Sequence, residues 1–169
     1  MSGKILRTGK FIGGGRVSQF LKVFQTSVLF CAGMLGSFAA PAVPGHFSGT
    51  IGPALLCHDQ IDSHYFTRYM NTYFGPPGKI EGGAYWWKVS GTLFGTKLDS
   101  IFINQESTTS VFIGAIFADP PDVLRKNILN ITGVPYQITR DPERWSSPSF
   151  SVMLKYNSPE TPSKMYCLK

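Results

Sequence analysis

Ile61, Tyr65, Tyr69 and Tyr73 recur four residues apart, and Phe66, Met70 and Phe74 form a second row at the same interval. That period predicts a helix over 61–74. Gly75-Pro76-Pro77-Gly78 stops it. The pattern then changes to alternation. Over 84–93, Tyr85, Trp87, Val89 and Leu93 fall on one face, and Trp86, Lys88, Ser90 and Thr92 on the other. Gly95-Thr96 reads as a turn, 98–103 as a second strand, and Asn104-Gln105-Glu106-Ser107 as another turn. Residues 111–118 are almost continuously apolar, the signature of a central strand buried on both faces.

A second helix is expected after that strand. Asp119 offers an N-cap side chain and Pro120 suits the first helical position. Val123, Leu124, Ile128 and Ile131 form its apolar stripe, and Gly133 suits the left-handed position at its end. Three short strands, 134–139, 150–156 and 164–168, follow. The sum is an α+β fold of order α-βββ-α-βββ: an antiparallel sheet of five to six strands with two helices on one face. Residues 57–169 are expected to form this single domain, with 43–56 as a linker or an ordered leader into it.

Charge changes the picture at the N-terminus. The chain carries 16 basic and 10 acidic residues, but five of the basic ones lie in the first 40 positions, where no acid occurs. The remainder is close to neutral, so the basic pI argues for no nucleic-acid partner. The same region has a basic stretch, an apolar run over 28–35 and small residues over 36–42. Residues 1–42 therefore read as a signal peptide, with cleavage near 39/40 or 42/43. If uncleaved, this segment is the chain's one expected membrane attachment. The expected location is the periplasm or the extracellular space.

Cysteine usage agrees with export. Cys31 would leave with the leader, and Cys57 and Cys167 remain as an even pair. The simplest reading in an oxidising compartment is one terminal disulfide.

Candidate chemistry is sparse. His58, Asp62 and His64 form the one cluster with catalytic residue types. On a helix His58 and Asp62 share a side, while His64 lies well round from them. No nucleophile, base and acid converge, so no catalytic residue is assigned, and no metal or cofactor is expected. Tyr85-Trp86-Trp87 is the most conspicuous aromatic run, and Tyr69 and Tyr73 repeat the theme at helical spacing. These five are the candidate binding residues, for a protein partner or a small ligand on an aromatic surface. The leading expectation is a non-enzymatic exported binding protein, of inhibitor or immunity type in the bacterial envelope. The alternative is a small periplasmic hydrolase or metal-dependent enzyme using His58, Asp62 and His64.

Overall fold

A computed structural model of the chain describes residues 42–169. The leader and its cleavage positions at 39/40 and 42/43 fall outside these residues, apart from Ala42 itself. The fold is α+β. Three helices precede and divide the strands: α1 (Phe47–Leu55), α2 (Ser63–Phe74) and α3 (Pro121–Thr132). The strands are β1 (Lys79–Glu81), β2 (Ala84–Leu93), β3 (Thr96–Asn104) and β4 (Phe112–Phe117), then β5 (Gln137–Ile138), β6 (Arg144–Ser146), β7 (Val152–Lys155) and β8 (Ser163–Leu168). All eight join one antiparallel sheet in the order β1-β2-β3-β4-β8-β7-β6-β5. Five to six strands and two helices were expected, so both counts are corrected upward.

The additions have physical reasons. α1 carries Phe47, Ile51, Ala54 and Leu55, a helical stripe that is fully buried. Its sequence is punctuated by Gly49, Gly52 and Pro53, which hide the period. β5 is a two-residue piece of the strand expected over 134–139, whereas the added β1 and β6 are three residues long and contain no fully buried residue. They are held by pairing to their neighbours, not by an apolar pattern of their own.

The start of α3 differs by one residue from expectation. Pro120 precedes another proline, which drives it to extended backbone at φ −61° and ψ 154°. Pro120 thus becomes the N-cap, Pro121 opens the helix, and no side chain caps it. Asp119 instead accepts from the backbone N–H of Lys97 at 3.3 Å. Gly133 ends the helix at φ 74°, in the left-handed region. Of the expected stripe, Leu124 and Ile128 are buried, whereas Val123 and Ile131 are exposed.

The helices share one face of the sheet. Trp87, Val89, Ile101, Ile113, Phe117 and Met165 from the strands pack with Phe47, Phe66, Met70 and Leu124 in one core. Strand alternation turns the intervening residues to the other face. There a separate small cluster forms around Ala84, Phe102 and Ile116. The Cys57–Cys167 disulfide joins the end of α1 to β8, with the Cα atoms 5.3 Å apart. Such a bond points to an oxidising, non-cytoplasmic compartment. Among the described residues no helix is long and apolar enough to cross a membrane.

Candidate functional site

The sheet face opposite the helices is the most unusual surface of the described fold. No described helix covers it, yet its centre is aromatic. Trp86, Phe102, Gly114 and Tyr166 stand in register on β2, β3, β4 and β8. The Trp86 and Phe102 rings stack at 4.5 Å between centroids, and Phe112 lies 6.2 Å from Phe102. Trp86 Nε1 donates to the Glu81 carbonyl at 3.0 Å, which fixes the indole. Gly114 makes room for this paving. A Cβ there would stand 1.9 Å from Phe102 Cζ, so the ring can lie over β4 only because the residue beneath is glycine. The apolar run of β4 is buried on both sides, but its second cover is these side chains and not another helix.

Charge is set into the aromatic surface. Lys164 Nζ lies 4.7 Å from the Phe102 centroid, 5.8 Å from Trp86 and 5.9 Å from Tyr156. Burial among these groups pushes the Lys164 pKa down, partly opposed by the Glu81 charge. Lys79 sits 4.7 Å from the Trp86 centroid and pairs with Glu81 at 2.6 Å. That bond holds the Glu81 carboxyl below its ordinary pKa. Lys88 pairs with Asp99.

Three shallow recesses open on this face. One of about 340 Å³ runs from Lys79 and Trp86 to Tyr156. One of about 290 Å³ lies between Glu81, Trp86 and Lys164. A third, about 280 Å³, is lined by Phe102, Phe112, Leu154, Lys164, Tyr166 and Leu168. Pockets that enclose a small molecule usually span about 300–1,000 Å³. These are at the bottom of that range, and suit single side chains of a partner better than an engulfed ligand.

The five residues singled out from sequence separate. Trp86 lies on the open face. Trp87 is 1% exposed and donates from Nε1 to the Gly75 carbonyl at 2.9 Å, so it belongs to the core. Tyr85 packs against the same core, its ring 6.2 Å from that of Trp87. Tyr69 is buried, which raises its hydroxyl pKa. Tyr73 is exposed on α2, beside the His46 ring at 4.8 Å, and so lies on the helix side of the sheet.

The polar cluster also divides. Asp62 caps α2 by accepting from Tyr65 N at 3.0 Å. His64 Nδ1 lies 3.0 Å from Glu106 Oε1, with both side chains largely exposed. His58 lines a different recess, of about 400 Å³, with Leu56, Phe94 and Ile131 and without a carboxylate. Among the described residues, no three His, Cys, Asp or Glu side chains are placed to hold a metal ion.

Sequence reasoning missed Phe102, Phe112, Tyr156, Lys164 and Tyr166. Alternation around Phe102, between Ile101 and Ile103, was the available signal: an apolar residue on both faces of a strand means that both faces meet something. Comparison with protein-family models, with curated proteins and with solved structures gives no match.

Proposed function

We propose that this chain is an exported, non-enzymatic binding protein of the periplasm or extracellular space, of inhibitor or immunity type. It engages a protein partner through the open face of its sheet. One observation carries the reading: the centre of an eight-stranded sheet is paved with aromatic rings, Trp86, Phe112 and Tyr166 half-buried around a buried Phe102, on the side that no described helix covers. Large aromatic side chains in shallow recesses are the groups that dominate protein interfaces. The leader expected over 1–42 and the Cys57–Cys167 bond support an oxidising compartment.

Site-specific crosslinking in the native host tests this. A photoreactive residue placed at Tyr156, on the open face, should give one discrete protein adduct. The same residue at Lys126, exposed on α3, should give none. Adding Trp86→Ala should abolish the Tyr156 adduct. Adducts formed equally from Lys126, or a Tyr156 adduct indifferent to Trp86, would reject the open face as the interface.

A further inference from the structure

Two rows of side chains cross the open face in register. The first is the aromatic row through Trp86, Phe102 and Tyr166. The second runs Lys88, Ser100, Ile116, Lys164, Leu154 and Arg144 across six strands. The charges of this face are not balanced. Lys79 is answered by Glu81 and Lys88 by Asp99. Among the described residues, Lys164 and Arg144 make no ion pair.

Lys164 is unlike an ordinary surface lysine. Its ammonium is held among three rings, with apolar Ile116 and Leu154 beside it on the neighbouring strands. Ring faces attract a cation but replace only part of its lost hydration. An anion delivered into this partly dry site would complete the compensation, and the low local dielectric would strengthen the contact.

Resting on the open-face reading above, we infer that the partner presents a carboxylate, from an Asp or Glu flanked by apolar side chains, to Lys164. The chemistry around the ammonium selects this occupant. The adjoining recess is lined by Phe102, Phe112, Leu154, Tyr166 and Leu168, with Lys164 as its one charge. A polyanion would be met by a continuous run of free cations, but Lys88 on the same row is already neutralised. Glu81 shares a recess with Lys164, but its carboxylate is already paired with Lys79. Lys164 therefore remains a cation without an ion pair among the described residues, which a single acid set among apolar side chains would match. Arg144 stands two strands away, roughly 10 Å at normal strand spacing, and can receive a second acid of the same segment.

The test is selection of short random peptides displayed on phage against the full chain, then titration of the selected peptides by calorimetry. The enriched peptides should carry Asp or Glu next to apolar or aromatic residues. Lys164→Met keeps the aliphatic stem over the rings and removes the charge. It should weaken their binding about 10- to 100-fold, the effect of losing a hydrogen bond to a charged group. Changing the peptide's acid to its amide should cause the same loss, and the two changes together little more. Lys126→Met should change nothing, and an unaltered near-ultraviolet circular dichroism spectrum would show the ring stack intact. Selected peptides that need Trp86 but are neutral, or ignore Lys164→Met, would overturn the carboxylate inference and leave the open face standing. Selection that yields no peptide dependent on Trp86 would overturn both. Polygalacturonate binding that depends on Lys164, with no acidic peptide selected, would replace the protein partner with an anionic polysaccharide and overturn the inference.

Discussion

Phe94 and Phe150 hold φ of 54° and 69°, where a bulky L-residue is strained by about 1–2 kcal/mol. Their surroundings differ. Phe94 is 9% exposed and its ring lies 3.5 Å from where a Cβ of Gly52 would stand, so packing on α1 offsets the strain. Phe150 is 78% exposed, and nothing in the fold explains a phenylalanine there. Its backbone is held by its neighbours: Ser149 Oγ donates to the Leu56 carbonyl and Ser151 Oγ to the Leu55 carbonyl, each at 2.6 Å. With both serines turned inward, the residue between them is turned out. Replacing each phenylalanine by glycine relieves the same strain, at a cost of about 0.5–1 kcal/mol from the more flexible unfolded chain. Phe150→Gly should therefore stabilise the protein by about 0.5–1 kcal/mol in urea unfolding. Phe94→Gly also loses buried ring surface and should destabilise it by about 2–4 kcal/mol. Equal effects from the two changes would refute the distinction.

The serine turn matters to the elements as much as to Phe150. The last carbonyls of α1 have no partner within the helix, and the turn that leads into β7 supplies donors to two of them through Ser149 and Ser151. Ser151 is fully buried and also accepts from Tyr136 Oη at 2.6 Å. Burial pushes the Tyr136 pKa well up, against the lowering effect of the Ser151 and Ser147 hydroxyls. Ser151→Ala leaves a helix carbonyl and a buried phenol unsatisfied, and should cost about 1–3 kcal/mol by urea unfolding. A loss below about 0.5 kcal/mol would mean that the turn does not anchor α1. This interdependence explains what was legible at the element scale. α2, β2, β4 and β8 carry their own periodicity and are readable from sequence. α1 was not read, because Gly49, Gly52 and Pro53 hide its apolar stripe, and β6 exists because β7 gives it something to pair with, as β6 in turn does for β5. Trp86 was legible as a candidate because alternation alone turns it away from Trp87. Phe102, Lys164 and Tyr166 join it only through pairing between strands far apart in sequence, and that register is invisible to a local pattern.

At the scale of the molecule, the order β1-β2-β3-β4-β8-β7-β6-β5 puts the last strand at the centre. A helix of 12 residues precedes each run of four strands, and the two runs meet where β4 pairs with β8. The sheet is therefore completed only when the end of the chain returns to its middle. The Cys57–Cys167 bond acts on that step. It ties β8 to the end of α1 across 110 residues, the separation that the unfolded chain must otherwise close by chance. The chain-entropy model gives about 4–5 kcal/mol for such a loop, as an upper figure because unfolded chains retain some structure. Replacing both cysteines by alanine should lower the stability by up to that amount. It should also raise the urea dependence of unfolding, since an uncrosslinked chain exposes more surface when it unfolds. Cys167 is fully buried and Cys57 is only 9% exposed, so a thiol has little access to the bond while β8 remains docked. Reduction in native buffer should then be slow, and should accelerate with urea in parallel with unfolding. Rapid reduction of the native protein, or a double alanine variant within about 1 kcal/mol of wild type and with unchanged urea dependence, would show that the bond is not what secures the central seam.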